Sequence, residues 1–123
     1  MIHARQLFRS FIHAFRGLVT VFRSEQNFRI QFYVALFVFI LMFVLPTTRA
    51  EKVALVLVAA WVLVLELLNS VLERFIDLVK PRLHDYAREI KDLMAAAVLL
   101  TSIVSVVVGV LILYPYLLDV ILP

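Results

Sequence analysis

Five polar residues interrupt an apolar stretch in the second half of the chain, at the spacing of one helix face. The stretch WVLVLELLNSVLERFID holds Glu66, Asn69, Ser70, Glu73 and Asp77, which follow one another at steps of three, one, three and four residues. At roughly 100° per residue, these side chains fall within a helix face about 100° wide. A carboxylate inside an apolar stretch is costly to bury, so Glu66 marks a functional site by default.

The carboxylates of this polar stripe need neutralisation, because like charges four residues apart on a helix repel. Burial favours protonation of a carboxylate as one remedy. The other remedy is a bound divalent cation, and oxygen ligands suit Mg²⁺ when phosphate groups complete its coordination. The stripe is also compatible with a purely structural role, in which a buried hydrogen-bonded network holds helices together.

Further charged residues lie at the same end of the predicted helices. Glu25 precedes one long apolar segment, and Lys91 and Asp92 precede another. Each is individually compatible with an interfacial charge in contact with water, and so is His84 in the basic segment PRLHDYAREIKD. Their convergence at one depth predicts a shared site if the helices bundle.

The composition indicates that the elements carrying these residues lie in a membrane. The chain has 123 residues, which is enough for one domain (1–123), and 64% of them are hydrophobic. So small a globule could not hide this apolar excess. The chain has no cysteine, which excludes disulfides and thiolate metal sites. We expect the net charge of +3 to reflect basic residues at a membrane face and not nucleic-acid binding.

Hydropathy and periodicity predict an all-α membrane protein with one amphipathic helix and three transmembrane helices. The amphipathic segment places Phe8, Phe11 and Phe15 on one face and Arg9 and Arg16 on the other, as in helices that lie in the membrane interface. The predicted bounds are 6–24 for the amphipathic helix, 28–46 for the first span, 52–78 for a second span extending into the cytoplasm, 79–90 for a cytoplasmic loop and 91–114 for the third span.

The basic residues predict the orientation. Five Lys or Arg lie before or at the start of the first span, at residues 5, 9, 16, 23 and 29, and five lie from the last turns of the second span to the start of the third, at residues 74, 80, 82, 88 and 91. The connection between spans one and two carries two, at residues 49 and 52, and the tail after residue 113 carries none. The positive-inside rule therefore places the N-terminus and the second loop in the cytoplasm and the C-terminus outside.

Three segments closely resemble the prokaryotic diacylglycerol kinase and undecaprenol kinase family. They are SEQNFRIQ (24–31), ELLNSVLERFID (66–77) and KDLMAAAVLL (91–100), and the resemblance covers residues 8 to 113. It implies a trimer in a bacterial inner membrane, with active sites shared between subunits. The implied reaction transfers the γ-phosphoryl group of Mg·ATP to the hydroxyl of a membrane lipid.

The resemblance also implies roles for individual residues. Glu66 matches the catalytic base and contacts the lipid, and Arg29 matches the segment that lines the lipid headgroup site. Glu25 and Glu73 match the Mg²⁺ ligands of the ATP site. The remaining positions around the nucleotide are Asn69, Asp77, His84, Lys91 and Asp92.

The lipid is expected to be undecaprenol, with diacylglycerol as the second candidate. Gln31 stands where the Gram-negative diacylglycerol kinase type carries glutamate, and SEQNFR is closer to the undecaprenol kinase branch. Two other classes of function are compatible with the residues alone. One is a small proton-coupled transporter that uses Glu66 as a relay, and the other is an accessory membrane subunit without chemistry.

Overall fold

Four helices account for almost the whole chain. The structure is a computed structural model that describes residues 1–82 and 84–123, without the side chain of His84. The helices are α1 (Ala4–Ser24), α2 (Gln26–Val44), α3 (Arg49–Val79) and α4 (His84–Ile121). The prediction of an all-α protein is confirmed.

Three of the helices are long and apolar enough to cross a membrane, as predicted. They are Gln26–Val44, Arg49–Val79 and Asp85–Ile121. At about 1.5 Å per residue, α3 and α4 are both longer than the roughly 30 Å hydrocarbon core of a bilayer. Most of their large apolar side chains are exposed in the isolated chain. Such a surface requires lipid or neighbouring protein around it.

Local sequence explains where α2 ends and α3 begins. Leu45 has extended backbone, because Pro46 follows it and disfavours the helical conformation of the preceding residue. The Thr48 hydroxyl accepts a hydrogen bond from the Glu51 backbone N–H at 3.2 Å, and the Glu51 carboxylate accepts one from the Thr48 N–H at 2.9 Å. This reciprocal pair is a capping box, which stabilises the first turn of α3.

The second loop is shorter than the predicted 79–90, because α4 begins at His84 and not at residue 91. Residues 84–90 contain neither Gly nor Pro, and Ala, Arg and Glu among them are good helix formers. At its other end, α4 continues past the predicted residue 114 to Ile121 with Pro115 inside it. Prolines are tolerated in membrane helices where neighbouring groups satisfy the freed carbonyl.

The core lies towards the end of the molecule that carries the α2–α3 connection. Met42, Leu45, Leu55 and Leu113 form a buried cluster there. Helix α3 packs against both α2 and α4, and α1 packs on α2. Helix α3 is therefore central, and it positions the polar stripe against its neighbours. The helix predicted over 6–24 is present as α1, and its position at a membrane surface stays a prediction.

Candidate functional site

The polar stripe lies on α3 and begins at a fully enclosed carboxylate. Glu66 is 2% exposed, and Ser70, one turn further along, is 1% exposed. Glu73 is half-buried and Asp77 is exposed. The stripe therefore runs from the interior of the chain outwards, which gives its carboxylates graded access to water.

One side chain from α2 holds Glu66. Gln31 Nε2 donates a hydrogen bond to Glu66 Oε2 over 3.3 Å. Gln31 Oε1 and Ser70 Oγ are both buried and have no hydrogen-bond partner among the described residues. Buried polar atoms are usually paired, so such atoms indicate a functional position.

Two other carboxylates lie within electrostatic range of Glu66, and their membership of one shared site stays a prediction. Glu25 and Glu73 lie close enough to Glu66 to act on it electrostatically. Glu25 sits at the junction of α1 and α2, where extended backbone breaks the helix. We call Glu25, Glu66 and Glu73 the acidic cluster. Glu25 comes from the α1–α2 junction and the other two from α3, so the cluster depends on the tertiary fold.

Neighbouring polar groups hold the outer members of the acidic cluster. Asn69 Nδ2 donates to Glu73 Oε1 over 3.5 Å. Arg74 Nη2 lies 3.9 Å from Glu25 Oε1 and donates to Ser24 Oγ over 2.9 Å. The sequence reasoning did not identify Arg74 as a partner of Glu25. Arg74 lies outside the helix face that the polar stripe occupies, and its position in the sequence did not indicate a contact with Glu25.

An ion pair joins the outer end of α3 to the start of α4. Lys91 Nζ lies 2.9 Å from Asp77 Oδ1, and the Lys91 side chain is 34% exposed. The structure thus joins two of the predicted nucleotide residues across helices. An ammonium has three N–H donors and this contact uses one of them, so Lys91 can also serve another anion.

The other predicted site residues have different surroundings. Arg29 Nη1 donates to the carbonyl oxygens of Phe22 and Arg23, over 3.0 and 2.7 Å. Asp92 is exposed. The side chain of His84 lies outside the described residues. In the sequence, Gln31 stands out as a departure from the diacylglycerol kinase pattern. An amide at the start of an apolar span also indicates a polar contact at that position.

An apolar cavity of about 450 Å³ opens beside this site. It lies between α2, α3 and α4, and Gln31 is part of its lining. Nearly all of its other lining residues are apolar, including Val34, Val62 and Val106. The side chain that bonds Glu66 therefore borders a hydrocarbon-lined space, which suits a molecule with an apolar body and a polar end.

Comparison with known proteins assigns the class. Residues 12–113 match the family described as prokaryotic diacylglycerol kinase. The chain is 34% identical over 110 residues to an undecaprenol kinase of Bacillus subtilis, covering 89% of each chain. It is 37% identical over 117 residues to a diacylglycerol kinase of Synechocystis sp., covering 94% of this chain and 67% of the other. A diacylglycerol kinase of Haemophilus influenzae is 31% identical over 104 residues, covering 84% of this chain and 88% of the other.

The chain belongs to the prokaryotic diacylglycerol kinase family. It is a lipid kinase, a phosphotransferase with an alcohol group as acceptor, and its three apolar helices belong in a membrane. The resemblance inferred from the three sequence segments is thereby confirmed.

Proposed function

We propose that the chain transfers the γ-phosphoryl group of ATP to the hydroxyl of a membrane lipid alcohol at the acidic cluster, with Glu66 as the general base. The observation that carries the proposal is the 2% exposure of Glu66 inside a helix long enough to span a membrane. A carboxylate held there can meet a hydroxyl that sits just below the headgroups. Positioned general bases contribute about a hundredfold or more to rate.

The step balances with Glu66 as proton acceptor. The lipid O–H bond breaks, its proton passes to a Glu66 carboxylate oxygen, and the lipid oxygen bonds to the γ-phosphorus of ATP. The bond from that phosphorus to the bridging oxygen breaks, and the electron pair leaves with ADP. Such transfers depend mainly on positioning and on charge neutralisation.

Glu25 and Glu73 fit a magnesium ion that arrives with the triphosphate. The described residues contain no group of three or more His, Asp or Glu side chains placed to hold a metal by themselves. Mg²⁺ bound with nucleotide usually takes one or two carboxylates and completes its shell with phosphate oxygens and water. When bound, the ion neutralises charge on the phosphates. Glu25 would then exchange its contact with Arg74 for the ion.

The remaining polar residues around α3 would bind the nucleotide. Lys91 supplies a compact positive charge for a phosphate oxygen. Asp77 orients Lys91 through their 2.9 Å contact, and Asn69 orients Glu73. We also assign Asp92 and His84 to the nucleotide, on the resemblance of their segments to the family pattern.

For the lipid, we propose undecaprenol, with diacylglycerol as the competing substrate. The extensive match to the Bacillus subtilis undecaprenol kinase supports this choice, and so does Gln31 in place of glutamate. The identity to a diacylglycerol kinase is of similar size, so the experiment must compare both lipids. Arg29 would lie near the lipid headgroup, since it is fixed at the α1–α2 junction.

We further propose the arrangement in the membrane. Helix α1 would lie in the interface, with its exposed phenylalanines in lipid and its arginines towards headgroups. The N-terminus and the α3–α4 connection would be in the cytoplasm of a bacterial inner membrane, and the C-terminus outside. A homotrimer with shared active sites would cover the exposed apolar faces of the spans.

The decisive experiment supplies purified protein in mixed micelles with Mg·ATP and either undecaprenol or diacylglycerol. We expect phosphorylated lipid with both and a higher kcat/KM for undecaprenol. Lack of product with either lipid, from protein that is folded and binds ATP, would contradict the kinase mechanism. A higher kcat/KM for diacylglycerol would reverse the substrate assignment and leave the mechanism intact.

A further inference from the structure

Gln31 is the described side chain that donates a hydrogen bond to Glu66. The two residues are on different helices, α2 and α3, and the bond from Nε2 to Oε2 is 3.3 Å long. Glu66 is almost fully enclosed, so water cannot readily replace this contact. The orientation of the carboxylate therefore depends on a neutral amide from a neighbouring helix.

A neutral amide suits a carboxylate that must accept a proton. Lys or Arg at this position would pair with the charge of Glu66 and hold it in the ionised form. The amide fixes one carboxylate oxygen, Oε2, and leaves the charge and the other oxygen available.

The other end of the same amide has no partner. Gln31 Oε1 is buried without a hydrogen bond among the described residues. An amide carries a donor and an acceptor on one rotatable group. When Glu66 becomes protonated, its new O–H needs an acceptor, and rotation of the amide by half a turn presents Oε1 in place of Nε2.

We propose that Gln31 is a positioning residue for Glu66, which aims the ionised carboxylate at the lipid hydroxyl and then accepts a hydrogen bond from the protonated form. Gln31 acts through Glu66 and transfers no atom itself. The proton from the lipid hydroxyl resides on Glu66 and returns to water after the product leaves. The proposal rests on the proposed function, because it assumes that Glu66 is the base.

The test compares Gln31→Leu and Gln31→Met with wild type in the micelle assay. Both substitutions remove the donor and the acceptor, and Gln31→Met does so at nearly constant side-chain length. We expect kcat to fall between about tenfold and a hundredfold in both, as for other small misplacements of a catalytic group. The KM values for Mg·ATP and for lipid should change less than twofold. Wild-type kcat in both variants, or a raised lipid KM at unchanged kcat, would overturn the proposal.

Tyr116→Phe provides the matched control. The Tyr116 hydroxyl donates to the Glu51 carboxylate, which is another part-buried hydrogen bond between helices. Its loss should lower the melting temperature and leave kcat unchanged. If the Gln31 variants show that same pattern, their bond to Glu66 is merely structural and the proposal fails.

A double-mutant cycle separates positioning from general damage. In the background of Glu66→Gln, Gln31→Leu should cause no further loss of kcat, because the residue acts only through the base. A full additional loss would contradict the proposal. Failure of the proposed function is distinguishable, because wild-type protein would then form no phosphorylated lipid, whereas failure of the positioning role leaves wild-type turnover and removes only the effect of Gln31.

Discussion

Two glutamates on α3 have opposite surroundings. Glu51 in the first turn accepts hydrogen bonds from the Thr48 N–H and from the Tyr116 hydroxyl of α4. Among the described residues, Glu66 accepts one hydrogen bond, from Gln31, and it has two like-charged neighbours in Glu25 and Glu73. One carboxylate is matched by donors that tie helix ends together. The other is enclosed, has one hydrogen-bond donor among the described residues and lies near two further carboxylates.

The difference separates structural from chemical use of the same side chain. At the Glu51 end, nearby polar groups are also paired. Lys52 Nζ donates to the Thr47 carbonyl, and the Thr47 hydroxyl donates to the Met42 carbonyl. At the Glu66 end, Ser70 Oγ is buried without a partner among the described residues. Unpaired polar groups cost stability. Proteins retain unpaired polar groups at sites where a bound substrate supplies the missing hydrogen-bond partners.

Neutralising Glu66 and Glu51 in turn is the strongest test of their different roles. Glu66→Gln should lower kcat by at least about a hundredfold, because it removes the proton acceptor. Glu51→Gln should leave kcat unchanged and lower the melting temperature. Turnover and melting temperature of both purified variants check this. Loss of folded protein in Glu66→Gln, with normal turnover of the folded remainder, would assign Glu66 a structural role.

Glu73→Gln tests whether this member of the acidic cluster binds the metal. If Glu73 binds the metal that accompanies ATP, half-maximal activity should require at least about tenfold more Mg²⁺. A tenfold weaker affinity corresponds to about 1.4 kcal/mol of binding free energy. A titration of activity with Mg²⁺ at fixed ATP measures the shift. Glu51→Gln is the control, because it removes a carboxylate from the other end of α3, and its Mg²⁺ titration should match wild type. An identical titration curve for Glu73→Gln and wild type would remove Glu73 from the metal site.

Two lysines allow a smaller test of the same contrast. Lys91→Met should raise the KM for ATP by about three- to tenfold, because a point charge near the phosphates is lost. Lys52→Met removes a lysine at the other end and should leave that KM unchanged. Initial rates over a range of ATP concentrations compare the two. Equal KM values in both variants would exclude Lys91 from nucleotide binding.

The sequence predicted the spans and the stripe well, because both depend on local periodicity. Glu66, Glu73 and Asp77 share a face through helix geometry alone. Pairings between helices were harder to predict. The Gln31–Glu66 bond depends on how α2 rotates against α3, which an apolar segment such as FYVALFVFILMF leaves unspecified. The loop predicted over 79–90 is wrong from His84 onwards, because hydropathy marks only the apolar part of a helix. The segment DYAREIKD is charged but has strong helix propensity, and it extends α4.

Thr48→Ala is the mildest test of the contrast, because it alters only the scaffold. The Thr48 hydroxyl caps α3 at the end remote from the acidic cluster, and losing such a cap costs about 1 kcal/mol. Unfolding in mixed micelles should register this loss, and kcat and both KM values should stay at wild type. Thr20→Ala is the control, since its hydroxyl bonds within an exposed turn of α1 and its loss should change neither quantity. A fall in kcat for Thr48→Ala at unchanged stability would mean that α3 transmits strain between its ends, and the two glutamates could then no longer be treated as independent.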